Sequence, residues 1–313
     1  MKKKFTIVYM GTPDFAVPSL RGLHKSGHQI SYVVTQPDRP KGRGCRLKPS
    51  AVKSAALELG LPVLQPCSMQ EPDLIKNLSG VNPDLFVVVA FGYILPRNLL
   101  KIPGSGSVNI HASLLPKYRG PAPIQWVIIN QEKETGITAI RMDEGMDTGD
   151  ILHFSRTTLS MNETVETLYD RLARMGADVL LETINKMEQG DLSVNPQDHS
   201  KATYAPMLKK SDGRIDWKLP AEKIEAFIRG VAQWPGAFAF IGKERIKMFL
   251  ARVEPLDPPE PAGTILRASQ GELWVATGKG ALSILEIQAE SGKRLFINDF
   301  LRGNKIPEGI VLS

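Results

Sequence analysis

The sequence predicts an α/β fold, in which a mostly parallel sheet is followed by a second, smaller domain of barrel type. Residues 84–90 form an almost unbroken apolar run, which is typical of a strand covered on both faces in a parallel sheet. Strand-like and helix-like segments alternate around that run, as they do in βαβ units. In the last quarter of the chain, short strand-like segments are separated by glycine and proline at intervals typical of a small barrel.

Size and composition indicate a globular protein with two domains. The chain has 313 residues, of which 42% are hydrophobic and 23% charged, and this length exceeds most single cores. We expect a first domain at 1–190, a linker at 191–208 and a barrel domain at 209–313. No apolar stretch approaches ~18 residues and no signal peptide is evident, so we expect a cytoplasmic protein with no membrane partner. Cys45 and Cys67 lie outside any CxxC pair and are expected to be free thiols.

The first strand, residues 5–10, leads into a turn at Gly11 and then into a helix that ends near Gly27. Thr12 fits the N-cap of that helix and Pro13 its first position. The second and third glycines of a G-x-G-x-x-G turn are missing, which argues against a nicotinamide cofactor.

A strongly basic segment, residues 36–49, follows a second strand at 29–35. Between residues 36 and 53, six cations stand against the single acid Asp38, which gives +5 of the formal total of +6; the cations are Arg39, Lys41, Arg43, Arg46, Lys48 and Lys53. Three prolines, two glycines and no hydrophobic period predict an exposed, mobile loop. A solvated charge run is the plain alternative, but cations interleaved with glycine favour contacts to phosphates.

A ligand-binding loop is expected at the end of the central strand. A helix at 50–60, a short strand at 61–64 and a helix at 72–78 precede that strand. The apolar run at 84–90 then passes into the apolar loop 91–96, at the carboxyl end, where open α/β sheets bind their ligands. A buried connection fits this pattern equally well.

The next strand carries two polar side chains on one face. Val108 and Ile110 would point to one side of it, and Asn109 and His111 to the other. An imidazole exchanges protons near neutral pH, and a carboxamide donates to an oxygen that gains negative charge, which suits acyl transfer. Prolines and glycines after His111 place the pair at the exit of the strand. Taken alone, the pair is also what a structural hydrogen bond in a half-buried sheet would look like.

The remaining elements complete the two-domain plan. A strand at 136–142 leads into four acids whose spacing does not follow the EF-hand order, so no metal is expected; these acids are Asp143, Glu144, Asp147 and Asp150. An extended connector at 190–210 carries Lys209 and Lys210. Helices are expected at 121–130, 162–187 and 221–232, and later strands at 245–253, 263–268, 272–277 and 281–288.

The long motif His-x-Ser-Leu-Leu-Pro-x-Tyr-Arg-Gly-x-x-Pro, which runs from His111 to Pro123, resembles the central motif of formyltransferases that use 10-formyltetrahydrofolate. Further segments resemble the methionyl-tRNA formyltransferase family, densely over the first two thirds of the chain and weakly over the last third; they are residues 11–15, 36–40, 42–44, 89–96, 142–150 and 215–217.

The resemblance implies a Rossmann-like domain followed by an OB-like barrel that binds tRNA. It also implies formyl transfer from 10-formyltetrahydrofolate, consumed as a co-substrate, to the amino group of methionine on initiator tRNA. Such a transfer needs no metal, and we expect the protein to be a monomer. Asn109, His111 and Asp147 match the catalytic positions of the family. The folate-binding region is matched by Phe91, Gly92, Tyr93, Ile94, Leu95, Ser113, Leu114, Leu115 and Pro116. The residues expected to bind tRNA are Arg39, Lys41, Arg43, Arg46, Lys48, Lys209 and Lys210.

Two alternatives remain at the level of sequence. Related folate-dependent enzymes formylate a small amine, such as a glycinamide ribonucleotide or an aminosugar nucleotide, or hydrolyse the formyl group. A barrel that binds RNA without chemistry is the other class. The basic segment and the second domain favour tRNA over a small amine, and a purely RNA-binding protein leaves the set of Asn109, His111 and Asp147 unexplained.

Overall fold

The computed structural model describes residues 4–41 and 46–313, which form two compact units. The first unit takes in residues up to 123, 134–158 and 169–205, and the second takes in 124–133, 159–168 and 206–313. Within the described residues, no helix combines the length and the apolar character needed to cross a bilayer.

The first unit is built on a seven-stranded sheet with the order β5-β2-β1-β6-β7-β8-β9. Neighbouring strands from β5 to β7 pair in parallel, and β8 and β9 extend the sheet with antiparallel pairs. The strands of this unit are β1 Thr6–Gly11, β2 Gln29–Val34, β3 Arg39–Lys41, β4 Arg46–Lys48, β5 Val63–Leu64, β6 Leu85–Val89, β7 Ser107–His111, β8 Glu134–Arg141 and β9 Ile151–Thr158.

The helices that precede the second sheet start and stop according to local chemistry. The helix predicted from Ser50 is confirmed, since the Ser50 hydroxyl accepts from the backbone N–H of Lys53 at 3.0 Å and caps α2. The long helix predicted at 162–187 is α6, which starts three residues later. These helices are α1 Val17–Lys25, α2 Ala51–Glu58, α3 Pro72–Gly80, α4 Arg97–Leu100, α5 Pro123–Ile129 and α6 Val165–Gln189.

The central position predicted for the apolar run is confirmed. All five residues of β6 are buried, and β6 lies between β1 and β7 in the sheet. Val8 and Phe86 belong to one core cluster with Phe91 and Leu95, which lie beyond the end of β6. Because Phe91 and Leu95 pack in the same core as β6, burial also anchors the loop that follows this strand.

The second unit is an antiparallel sheet with the order β10-β11-β14-β13-β12, and β15 pairs with β14. Its core includes Trp217, Met248 and Ile284. The predicted fold class, an α/β sheet domain followed by a small β domain, is confirmed. The elements are α7 Ala221–Val231, β10 Ala237–Ile241, β11 Glu244–Glu254, β12 Ile265–Ser269, β13 Glu272–Ala276, β14 Ala281–Ala289, β15 Leu295–Phe296 and α8 Ile297–Gly303.

Two segments expected to lack regular pairing are paired. In the basic segment, β3 and β4 form a short antiparallel hairpin, with Arg39 opposite Lys48. In the segment expected to be a linker, Asn195 bridges to Ile151, and Tyr204 forms a bridge to Arg119. Much of the 191–208 segment is thus joined to the first unit by backbone hydrogen bonds.

Candidate active site

The side chains of Asn109 and His111 lie on the same face of β7, as the alternation predicts. This strand is held between β6 and β8, and Val108 and Ile110 are buried. Both polar side chains lie within 3.5 Å of one carboxylate, that of Asp147. The pleat of a strand in the sheet interior therefore fixes the direction of both groups.

Asp147 supplies the carboxylate at which the site converges. Its Oδ1 accepts from Nδ2 of Asn109 at 3.4 Å and lies 3.5 Å from Nδ1 of His111. Its Oδ2 accepts from the backbone N–H of Gly120 at 2.8 Å. The three residues predicted as a catalytic set, Asn109, His111 and Asp147, thus lie in one cluster, although Asp147 is 38 residues from Asn109 in the chain.

The second contact of His111 defines its tautomer. Nε2 lies 2.9 Å from the backbone carbonyl oxygen of Tyr118. Because a carbonyl only accepts, Nε2 carries a hydrogen and, in the neutral ring, Nδ1 holds the lone pair. Nδ1 is therefore the atom able to take a proton, and the carboxylate of Asp147 lies close enough to stabilise the resulting cation.

The backbone of the site is held in conformations that side chains rarely adopt. φ is +56° at Asp147 and +60° at Tyr118, both in the left-handed region. A Cβ added at Gly149 would lie 1.7 Å from the carbonyl oxygen of Arg141, so only glycine fits there. Such geometry persists where the surroundings over-determine it, and it concentrates at functional sites. The Asp147 loop is therefore tightly constrained.

A threonine outside the sequence-predicted set fixes the turn after β7. The Thr138 hydroxyl donates to the Ser113 carbonyl at 2.6 Å and accepts from the Leu115 N–H at 3.2 Å. The Ser113 hydroxyl donates to the Lys117 carbonyl at 2.6 Å. Thr138 lies opposite His111 in the β7–β8 register, so paired positions on two strands carry the imidazole and the hydroxyl that fixes the turn after it. No sequence pattern marks this role.

The apolar loop 91–96 presents only part of its surface. Phe91 and Leu95 are buried in the core, whereas Ile94 is 75% exposed and Gly92, at φ +80°, is also exposed. Tyr93 is partly buried against the same core. The buried side chains thus hold the loop in place, and the exposed positions remain free for a ligand.

Two side chains from separate loops bind the Phe91 carbonyl. The Thr12 hydroxyl donates to it at 2.9 Å and Nε2 of Gln36 at 3.1 Å. The prediction that Thr12 caps a helix is wrong: a 3₁₀ turn at Asp14–Ala16 intervenes, with Pro13 as its N-cap. The polar side chain is used to fix the apolar loop instead.

Of the basic side chains between residues 36 and 53 that the structure describes, Arg39 and Lys48 are exposed, whereas Lys53 is partly buried. Arg39 and Lys48 lie opposite each other on β3 and β4, and Lys41 is in register with Arg46. Arg43 lies outside the described residues, as does Cys45. In the second unit, Lys209 and Lys210 are exposed.

Two of the four acids after β8, Asp143 and Glu144, make contacts outside the Asp147 cluster. The Asp143 carboxylate accepts from the Gly145 N–H at 2.9 Å and from the Thr148 hydroxyl at 2.6 Å, which closes the loop. Glu144 pairs with Arg97 at 2.9 Å. Within residues 4–41 and 46–313, no group of three or more His, Cys, Asp or Glu side chains is placed to hold a metal ion.

Comparison with known proteins identifies the family to which the chain is similar. The family model described as formyl transferase matches residues 3–184, and that of the formyl transferase C-terminal domain matches residues 207–305. A methionyl-tRNA formyltransferase from Citrifermentans bemidjiense is 47% identical over 307 residues, which cover 98% of this chain and 96% of the relative.

Solved structures share the fold at lower identity. A methionyl-tRNA formyltransferase from Clostridium thermocellum has a TM-score of 0.56 at 19% identity and covers 80% of this chain and 93% of its own. HypX from Aquifex aeolicus, in complex with tetrahydrofolic acid, has a TM-score of 0.63 at 18% identity over 96% of this chain. The chain spans about half of HypX, 47% of its length. With 47% identity to a curated relative over nearly its whole length, the chain belongs to the methionyl-tRNA formyltransferase family.

Proposed function

We propose that the chain transfers the formyl group of 10-formyltetrahydrofolate to the amino group of methionine on initiator tRNA by direct attack, with Asn109, His111 and Asp147 as its catalytic residues. As a member of this family it is a formyl-transfer enzyme, with the folate as donor and the charged tRNA as acceptor. The observation that carries the residue roles is the convergence of Asn109 Nδ2 and His111 Nδ1 on one carboxylate oxygen of Asp147.

His111 supplies and removes the proton that the reaction moves. The neutral amine attacks the formyl carbon, and Nδ1 of His111 takes the proton that the new N–C bond makes acidic. The same proton passes to N10 of the folate as the bond from N10 to the formyl carbon breaks. The products are formylmethionyl-tRNA and tetrahydrofolate, and the imidazole returns to its starting state.

Asn109 stabilises the negative charge of the tetrahedral intermediate. Its present bond to Asp147 is 3.4 Å long, beyond the ordinary range of about 2.7–3.2 Å, so the donor is readily exchanged for a better acceptor. An oxyanion is such an acceptor, and loss of one donor of this kind typically costs about 10²–10³ in rate. Asp147 stabilises the imidazolium during the same step.

The folate is proposed to bind along the apolar loop and the turn after β7. Gly92, Tyr93, Ile94, Leu114 and Pro116 are exposed or only partly buried and offer the contact surface. The remaining residues of the predicted region are buried and shape that surface from below; they are Phe91, Leu95, Ser113 and Leu115.

The basic hairpin is proposed to contact phosphates of the tRNA. Like charges directly opposite each other in a two-stranded ribbon repel, and the register places Arg39 opposite Lys48. A polyanion such as tRNA, with many phosphates, relieves this repulsion more than a small amine substrate with few phosphates does. Lys209 and Lys210 are proposed to add phosphate contacts from the second unit, within a tRNA-binding domain at 209–313.

Single-turnover formylation of charged initiator tRNA tests the catalytic assignment. We expect Asn109→Ala and His111→Ala each to lower the rate by about 10²-fold or more, with tetrahydrofolate affinity within about threefold of wild type. Lys101→Ala, an exposed residue of the first unit, serves as a control. Rates within about threefold of wild type in both variants would contradict the assignment.

The tRNA assignment has its own test at Arg43, which remains a prediction from sequence. Arg43→Ala should raise the KM for charged tRNA and leave tetrahydrofolate affinity intact, because a phosphate contact positions the nucleic acid only. An equal loss of folate affinity in a calorimetric titration contradicts this role.

We further propose that the enzyme acts as a monomer in the cytoplasm, where charged initiator tRNA is used. Sedimentation velocity at working concentration should give a single species near 34.5 kDa. A concentration-dependent dimer would contradict this proposal.

A further inference from the structure

Gln197 is a buried side chain in the segment where the sequence predicts a linker. Its Nε2 donates to the backbone carbonyls of Asp147 at 2.9 Å and Gly149 at 2.6 Å. Its Oε1 accepts from Nε of Arg119 at 3.2 Å and from Nη2 of the same guanidinium at 2.6 Å. The carboxamide therefore uses both of its donor hydrogens and both acceptor positions, which is its full capacity.

No other side chain of similar size supplies this pattern. A glutamate in place of Gln197 would still pair with Arg119 but would turn an oxygen towards two carbonyl oxygens. A methionine would leave the carbonyls and the guanidinium without this partner, and each buried polar group left unsatisfied is costly. The chemistry of the four hydrogen bonds thus requires an amide.

Arg119 joins this amide to the catalytic groups through the chain itself. The residue before it, Tyr118, accepts from His111 through its carbonyl, and the residue after it, Gly120, donates to Asp147. Arg119 is itself buried, and its Nη2 lies 2.9 Å from Nδ1 of His199. A closed ring of interactions therefore runs from the Asp147 carboxylate through Gly120 and Arg119 to Gln197 and back to the Asp147 carbonyl.

We propose that Gln197 is a positioning residue for the formyl transfer, which holds the strained backbone of Asp147 so that its carboxylate meets His111 and Asn109. The ring grips Asp147 at both ends, at the carboxylate through Gly120 and at the carbonyl through Gln197. Residues beyond 190 are therefore part of the catalytic architecture of the first unit. This inference rests on the catalytic role proposed for Asp147.

The test compares Gln197→Glu and Gln197→Met with Asp147→Asn and with the double variant Gln197→Glu/Asp147→Asn. We expect each Gln197 variant to lower the single-turnover rate by about 10- to 100-fold with the folate KM within about twofold, because a small displacement of a catalytic group has this effect. Rates are divided by the fraction of enzyme that binds tetrahydrofolate in calorimetry, so that a loss caused by unfolding does not count.

The double variant distinguishes positioning from general stability. If Gln197 acts through the Asp147 carboxylate, its change adds less than about threefold to the loss already caused by Asp147→Asn. Gln131→Glu is the matched control, since Gln131 also donates its amide to a backbone carbonyl, that of Glu222, but belongs to the second unit.

Three results would overturn the inference: wild-type rates in both Gln197 variants, losses that multiply with that of Asp147→Asn, or an equal loss in Gln131→Glu. A full rate in Asp147→Asn alone would instead contradict the proposed function. Failure of the two proposals is therefore distinguishable.

Discussion

Two regions of the first unit, the Asp147 cluster and the β3–β4 hairpin, differ in how fully interactions within the chain satisfy their charged groups. In the cluster, Asp147 contacts His111, Asn109 and a backbone N–H, and its backbone is held in a left-handed conformation. In the hairpin, Arg39 and Lys48 are exposed and face each other as like charges. One region is over-determined by its own interactions, and the other is proposed to be completed by tRNA.

The contrast shows that buried contacts and exposed charges contribute free energy of different size and different salt dependence. Loss of a buried partner costs about 1–3 kcal/mol because the remaining group cannot turn to water. An exposed ion pair contributes about 0–1 kcal/mol and is screened by salt. Substitutions in the cluster should therefore change the rate at any ionic strength, whereas those in the hairpin should change tRNA binding in proportion to salt.

Of the changes that compare these two regions, Gly149→Ala is expected to have the largest effect, because the cluster has no space there. Gly149→Ala places a Cβ against the carbonyl of Arg141 and forces the Asp147 loop to move, and a shift of about 1 Å can cost roughly 10²-fold in rate. Gly104→Ala is the control, because a Cβ there has no neighbour within 4 Å. The loss at Gly149 should be the same at low and high salt. A loss of rate in Gly149→Ala that varies with salt, or an equal loss in Gly104→Ala, would contradict the proposed difference between the cluster and the hairpin.

The hairpin should give the next largest effect. The double variant Arg39→Ala/Lys48→Ala should raise the KM for tRNA by about tenfold and leave the rate at saturating tRNA unchanged. The slope of log KM against log salt should fall by about 0.7–0.9 for each phosphate that the variant no longer neutralises. Arg21→Ala, which removes an exposed cation paired with Glu58, is the control and should leave that slope unchanged. An unaltered slope in the double variant would mean that the hairpin does not contact phosphates.

Much of the fold follows from local patterns. The buried strand β6 and the capped start of α2 at Ser50 are encoded in consecutive residues, and both predictions are confirmed. Strand β10 escapes prediction because Ala237–Ile241 alternates small and aromatic residues after a proline, a weak signal on its own. The hairpin escapes it because two strands of three residues, one of which contains Pro40, carry almost no periodicity.

The residues of the candidate site also fall into those that local sequence predicts and those that it does not. Asn109 and His111 can be found because they share one strand, and Asp147 because its segment resembles a family motif. Gln197 and Thr138 cannot be found, since their partners lie tens of residues away and neither shows a local signature. The proposed catalytic residues can therefore be predicted from the sequence, whereas the residues proposed to position them become visible only in the tertiary structure.

A smaller effect is expected at Thr12, which links the apolar loop to the start of the basic segment. Thr12→Val removes one of two donors to the Phe91 carbonyl, and Gln36 retains the other. Because the carbonyl keeps a partner, we expect the folate KM to rise only about two- to fivefold, a cost near 0.5–1 kcal/mol. Thr277→Val, which removes a hydroxyl bound to the Lys279 carbonyl in the second unit, is the control. If Thr12→Val weakens tRNA binding and leaves the folate KM unchanged, the Thr12 hydroxyl supports the basic hairpin and not the folate loop.

The smallest effect is expected at Asp38, at the base of the hairpin. Its Oδ2 lies 2.7 Å from Nζ of Lys53, and its Oδ1 accepts from Nε2 of Gln65 at 2.8 Å. The hydrogen bond from Lys53, and then that from Gln65, lower the pKa of Asp38 in the folded chain.

A lowered pKa means that the folded state binds this proton more weakly than the unfolded state does. The stabilisation is therefore complete above the ordinary pKa of an aspartate and disappears as the pH falls through the lower folded value. Asp38→Asn should lower the Tm slightly at pH 7, and the difference from wild type should shrink as the pH falls below the ordinary pKa of an aspartate. Asp73→Asn, an exposed acid on α3, controls for the loss of one negative charge. Because the carboxylate next to β3 is bonded to Lys53 of α2 and to Gln65, amide exchange at β3 and β4 should quicken in Asp38→Asn while exchange at β7 stays slow. Equal quickening in the hairpin and in β7 would mean that the open region and the constrained one unfold together, which their separate hydrogen bonds do not predict.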